Sequence, residues 1–170
     1  MPTTLSNRFH NFHFTVPGSH ISAKALFCAA FAAGAVFLVL MLAMAPLMGA
    51  TPWAPTRLIA AITMGREALS PPDTFDSGAV SAAIIIHFAL SVVYAVVFAF
   101  IAKGRSLASD TLLGAAFGLA LYVVNFYGFT FLFPWFAEAR HWVTITAHLA
   151  FGAALGASYA WAARRYPPPR

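Results

Sequence analysis

Acidic residues are scarce in this chain: only five of 170 are Asp or Glu. Glu67, Asp73, Asp76 and Glu138 fall between long apolar runs and Asp110 falls at the edge of one, so no two carboxylates share an apolar segment. General acid–base chemistry on paired carboxylates is therefore not expected. Cysteine is almost missing as well. The lone Cys28 excludes a disulfide framework within one chain and any multi-cysteine zinc or iron–sulfur site. Glycine-rich phosphate loops, HExxH and CxxC are absent. Ser91 and His87 stand one helical turn apart, but no acid orients the imidazole, so a nucleophilic triad is not expected either. The chain reads as non-enzymatic.

What fills the chain is apolar. It is 61% hydrophobic and 9% charged, and four runs hold no Lys, Arg, Asp or Glu at all: 25–48, 80–102, 111–133 and 142–163. Each is long enough for a helix rising ~1.5 Å per residue to cross a hydrocarbon core of ~30 Å. The expected fold is all-α, a polytopic membrane protein built as a four-helix bundle over 23–163. An N-terminal arm, 1–22, precedes it and a short tail, 164–170, follows. The first run exceeds the ~7–15 apolar residues of a signal peptide, and a polar arm precedes it, so an uncleaved span is expected. The arm carries His10, His13 and His20 with Phe9, Phe12 and Phe14, and reads as a surface segment.

The net charge of +5 is no nucleic-acid signal, because the basic residues stand at the span ends. Arg8, Lys24, Lys103, Arg105, Arg164, Arg165 and Arg170 belong to the arm, the second connection and the tail, against Arg57, Arg66 and Arg140 in the first and third. Lys and Arg favour the cytoplasmic side, which predicts both termini inside. Trp53, Trp135, Trp142 and Trp161 stand at span ends, as interfacial anchors do.

The two halves resemble each other. Pro52-Trp53 followed by Arg57 recurs as Pro134-Trp135 followed by Arg140, and the segment beginning at His87 recurs from His148. A duplicated helical hairpin with a pseudo-twofold axis along the membrane normal would produce this. The first connection carries an insertion, Leu58 to about Gly78. Its Leu58, Ile59, Ile62 and Leu69 share one helical face, which predicts a short helix on the outer interface ending near Ser70-Pro71-Pro72. Gly114 with Gly118 and Gly152 with Gly156 form two GxxxG motifs, which serve close helix approach within a bundle or between protomers.

Polar groups inside the runs are few and therefore informative. His87, Ser91 and Tyr94 share a face of the second span, Tyr122 and Asn125 of the third, and His141, Thr144, His148 and Tyr159 of the fourth. The three stripes predict a polar centre around His87, Asn125 and His148 in the outer half of the bundle, roofed by the loops of Arg57, Arg66 and Arg140. Its simplest role is a hydrogen-bonded clasp between helices. An alternative is axial ligation of a b-type haem, or of a metal, by His87 and His148, with the arginines near the propionates. Met41, Met44 and Met48 follow i, i+3, i+7 and with imidazoles would suit Cu(I), although such stripes are commonly plain packing. A proton or small-solute path meets the objection that no buried carboxylate lies below the centre. His141 beside Arg140 and Glu138 reads as a solvated loop cluster.

The stretch from Met44 to Trp53, the segment His87 to Tyr94 and Pro134-Trp-Phe with His148-Leu-Ala-Phe-Gly together resemble a family of small, uncharacterised bacterial inner-membrane proteins with four helices. Some members carry a "sodium:proline symporter" label. The resemblance covers about Ala43 to Tyr159 and implies architecture and a bacterial inner-membrane location, but no activity. Symporters of that class need more spans, with broken helices that hold sodium near the midplane. The reading that follows is a non-enzymatic integral membrane protein. It would be an accessory subunit or an oligomerising binding module, with the lipid bilayer and a membrane-protein partner or a second copy as its surroundings.

Overall fold

A computed structural model describes residues 23–102 and 106–166. Five α-helices follow one another: α1 (Ala23–Met44), α2 (Trp53–Met64), α3 (Ser77–Ile101), α4 (Leu107–Val123) and α5 (Trp142–Arg165). The described residues form no strand. Four segments are long and apolar enough to span a membrane: Ala23–Met48, Ser77–Ile101, Leu107–Phe131 and Trp142–Arg165. The outer surface agrees. Ile85, Leu112 and Phe131 are 70%, 73% and 88% exposed, which fits lipid and not water. The chain is an all-α integral membrane protein.

Local chemistry sets the helix starts. Asp76 caps α3 by accepting from the Ala79 amide at 2.7 Å, and Ser106 caps α4 by accepting from Ser109 at 3.1 Å. At α5 the cap is His141, whose Nδ1 accepts from the Val143 amide while the Thr144 hydroxyl accepts from the His141 amide. His141, in the loop beside Glu138 and Arg140, thus forms the start of α5.

The spans form a ring in the order α3, α1, α5, α4, closed unevenly. Small residues line three seams. Ala25, Ala29, Ala30 and Ala33 of α1 are fully buried in a cluster with Ala95 and Ala99 of α3 and Leu155 and Ala162 of α5. Between α4 and α5 the backbones themselves touch. A Cβ on Gly114 would meet the Gly152 carbonyl, one on Gly118 the His148 carbonyl, and one on Gly156 the Asp110 carbonyl. Both GxxxG motifs therefore face each other inside the bundle, where dispersion rather than the hydrophobic effect holds helices together. The third seam joins α2 to α3 through Ala60, Ala61, Ala79 and Ala83. The fourth pair, α3 and α4, hardly approaches backbone to backbone.

The first connection departs from expectation. α2 starts at Trp53, five residues before the expected Leu58, and it carries Arg57 on its buried face. It ends at Gly65, whose φ of +85° suits a residue without Cβ, and a 3-10 turn, Arg66–Leu69, follows. Asp110 also differs. The boundary acid is only 1% exposed, in the first turn of α4 against α5, so the bundle does bury a carboxylate.

Candidate functional site

Asn125 occupies an irregular stretch. α4 changes at Val124 into a π-helical turn, Val124–Gly128, and then a 3-10 turn, Phe129–Phe131. A π turn widens the spiral by one residue, leaves ordinary i, i+4 bonding, and often occurs at functional positions. Tyr122, before the start of this turn, and Asn125, within it, both reach His148. Their roles differ: Tyr122 packs its ring against Phe126 at 5.2 Å and His148 at 5.7 Å, whereas Asn125 carries the polar contacts. Arg140 secures the turn, donating from Nε to the Phe126 carbonyl at 2.8 Å and lying over the Tyr127 ring at 4.2 Å.

The hydrogen bonds form a chain across three helices. The Tyr94 hydroxyl of α3 donates to Asn125 Oδ1 at 2.8 Å, Asn125 Nδ2 lies 3.3 Å from His148 Nε2, and His148 Nδ1 lies 2.7 Å from the Thr144 carbonyl. A carbonyl can only accept, so in the neutral imidazole Nδ1 of His148 carries the proton and Nε2 accepts from the asparagine amide. The direction is then fixed throughout: Tyr94 to Asn125 to His148 to Thr144. His87 stands apart from this chain. Its Nε2 lies 2.8 Å from the Gly34 carbonyl of α1. Ser91 donates to the His87 carbonyl one turn back, at 2.8 Å.

These groups border a cavity of about 210 Å³ in the half of the bundle that carries α2. Its walls are largely aromatic: Phe37, Phe126, Phe129, Phe133, Phe136 and Phe151, with Ile59 and Ile62 of α2, Leu90 of α3 and Leu121 of α4. His87, Ser91, Tyr94, Asn125 and His148 supply the polar lining. The cavity lies where α3 and α4 stand apart, and two of its lining residues, Leu90 and Phe129, are exposed. The aromatic walls were not read from the sequence. The cluster of Phe126, Phe129, Phe131, Phe133 and Phe136 was the available signal.

The three arginines do not roof this site as a group. Arg57 is buried at 5% exposure and donates to the Thr74 carbonyl and hydroxyl and to the Ala68 carbonyl, holding 68–74 onto α2. Arg66 is exposed in its 3-10 turn, and Arg140 is committed to the π turn. Tyr159 lies outside the polar centre, buried beside Phe98 at the end of the bundle that carries the termini. Met41 is buried against Val143 and Ala147, with Met44 and Met48 packed alongside.

The geometry does not fit a haem held by His87 and His148. Axial ligation needs both Nε2 atoms aimed at one iron. Here one faces the Gly34 carbonyl on α1 and the other faces Asn125 on α4. The Phe37 ring packs against both imidazoles, at 5.2 and 4.9 Å between ring centres. Among the described residues no three of His, Cys, Asp or Glu converge as metal ligands would. Compared with known proteins, the chain matches no family model, no curated protein and no solved structure, so the chemistry of the site is read from its own residues.

Proposed function

We propose that this chain is a non-enzymatic binding module of the membrane, which takes a small, largely apolar molecule from the bilayer into the cavity between α3 and α4. The observation that carries the reading is the cavity itself: aromatic walls, a few fixed polar groups and two exposed lining residues, Leu90 and Phe129. Ligand sites in helix bundles have this composition, with polar groups that orient an otherwise apolar guest. The half of the bundle that carries the termini supports binding over passage. Leu26, Phe98, Leu155 and Tyr159 fill it with buried side chains. The bias of Lys and Arg toward the termini and second connection favours an outer-half position for the cavity, nearer the face away from the cytoplasm. An accessory role follows naturally, since such a module can hold a ligand for a membrane partner.

The experiment is purification from native membranes in mild detergent, with mass spectrometry of extracted small molecules and a thermal-unfolding series on the same protein. An apolar compound retained near one per chain, raising the unfolding temperature when added back, is the expected result. A fraction with no retained compound, and no shift across a panel of apolar molecules, would refute the proposal.

A further inference from the structure

The cavity's polar lining is unequal in donors and acceptors, and this inequality selects among apolar guests. It rests on the binding reading above. His87 Nε2 faces a backbone carbonyl, so Nε2 carries the ring proton and Nδ1 is left with a bare lone pair. Nδ1 makes no hydrogen bond with the described residues, while the imidazole lines the cavity. The Tyr94 hydroxyl has spent its proton on Asn125, and the Ser91 hydroxyl has spent its proton on the His87 carbonyl. Both oxygens can now only accept. The one side-chain hydrogen left over is the second on Asn125 Nδ2, whose first goes to His148. Acceptors therefore outnumber donors around an otherwise aromatic space. A guest that brings its own O–H answers this arrangement. A ketone, an ether or a plain hydrocarbon would leave the His87 lone pair unpaired.

Size narrows the class further. An apolar protein cavity of about 150 Å³ is known to hold benzene. At about 210 Å³ this one has room for a single six-membered ring with a short substituent. The Phe37, Phe126 and Phe151 rings offer faces and edges against which an aromatic guest packs in offset or edge-on fashion. Anything longer must leave past the exposed Leu90 and Phe129, where an alkyl or isoprenoid chain would meet lipid.

We infer that the cavity binds a monocyclic phenol, its ring among the phenylalanines and its hydroxyl donating to Nδ1 of His87. The same chemistry is offered by a free phenolic compound and by the hydroxylated ring of a membrane-resident prenylated phenol. In the second case the tail lies along the α3–α4 opening.

The test uses the whole chain in lipid nanodiscs, titrated with para-propylphenol, its methyl ether and propylbenzene, with affinities referred to concentration in the bilayer. An unpaired buried acceptor costs enough that the phenol binds about tenfold tighter than the ether. Nitrogen NMR of the labelled imidazoles adds a readout that needs no variant: the unprotonated Nδ1 signal of His87 moves with phenol and stays with ether. In His87→Leu the phenol loses its advantage while the hydrocarbon still binds. A para-prenylated phenol with a long tail separates the two sources. Tighter binding than the short phenol assigns the site to a membrane-resident guest, and equal binding assigns it to a free one, and both outcomes support the class. If phenol and ether bind alike to the native chain, with no movement at His87, the phenol assignment is overturned while the binding reading stands. If none of the three binds, both are overturned.

Discussion

Replacing Gly152 with alanine puts one methyl group into the tightest contact of the bundle. The new Cβ would stand 2.7 Å from the Gly118 amide nitrogen and 2.8 Å from the Gly114 carbonyl carbon, and would run into the Gly114 oxygen. Carbon atoms in ordinary contact keep about 3.5–4.0 Å, so α4 must retreat by roughly 1 Å. All the obstructing atoms are backbone, and no rotamer change relieves them. Overpacking of this kind costs about 1–3 kcal/mol. A retreat of that size also forfeits roughly a quarter to a half of the dispersion energy for atom pairs along the seam. Against this, alanine gains about 1 kcal/mol of helix propensity over glycine. The expected net loss is about 2 kcal/mol. It is read as a lowered denaturant midpoint in mixed micelles, followed by helix circular dichroism. Two companions grade the result. At Gly34 the nearest atoms are side-chain ends, Ser91 Oγ at 2.8 Å and Phe88 Cε1 at 2.9 Å, so Gly34→Ala costs less. At Gly128 only Val124 Cγ1 comes as near as 4.0 Å, and Gly128→Ala is neutral or slightly stabilising. If Gly152→Ala unfolds together with Gly128→Ala, the glycine seam does not hold α4 to α5.

Asn125→Leu strands the Tyr94 hydroxyl and His148 Nε2 in an apolar interior, for a loss of about 1–3 kcal/mol. A double-mutant cycle with Tyr94→Phe should return a coupling of about 0.6 kcal/mol, the average for hydrogen bonds between membrane helices, and at most about 1.7 kcal/mol; a coupling of zero would dissolve the chain. Arg140→Met removes the partner of the Phe126 carbonyl and the cation over Tyr127. Hydrogen exchange at 124–128 should then accelerate while the middle of α5 stays protected; unchanged exchange would show that the π turn stands without the arginine. Leu121→Phe enlarges a cavity-lining side chain that is 7% exposed. In a filled core such a change costs about 1–3 kcal/mol, but here it should cost under about 1 kcal/mol and weaken guest binding. A large loss of stability would mean that the space is not available.

The spans were legible because their signal is long and redundant. Each run exceeds the length a bilayer requires, and no single residue decides it. His87, Ser91, Tyr94, Asn125 and His148 were legible as a group because polar side chains in apolar runs are rare, and all five line one cavity. Their partners were another matter. The His87 contact is to a backbone carbonyl on α1, and every residue offers one of those, so no side-chain pattern could announce Gly34. Tyr122 was legible as a neighbour of His148, which its ring meets at 5.7 Å, but the π-helical turn that begins at Val124 has no side-chain signature. Arg57 and Arg140 were expected in loops roofing the centre, since sequence does not show which carbonyls a turn leaves unpaired. Asp110 stood at a span boundary, and its burial depends on how closely the glycines draw α4 onto α5.

The location of the cavity follows from where the small residues are. Close approach of two helices in lipid needs short side chains at the contact, because no hydrophobic gain compensates for distance. α3 offers alanines to α1 at Ala95 and Ala99 and to α2 at Ala79 and Ala83, while α4 gives its glycines to α5. Each of the two helices is thus drawn toward a different neighbour. Facing each other they present Leu90, Tyr94, Phe98, Phe117, Leu121 and Asn125, and bulky groups hold backbones apart. Near the termini Phe98 and Phe117 fill the gap, ring to ring at 5.4 Å. Near α2 the bridge is a hydrogen bond from Tyr94 to Asn125, and the π turn carries α4 away from regular packing. The opening there results from the same glycines and alanines that make the rest of the bundle tight.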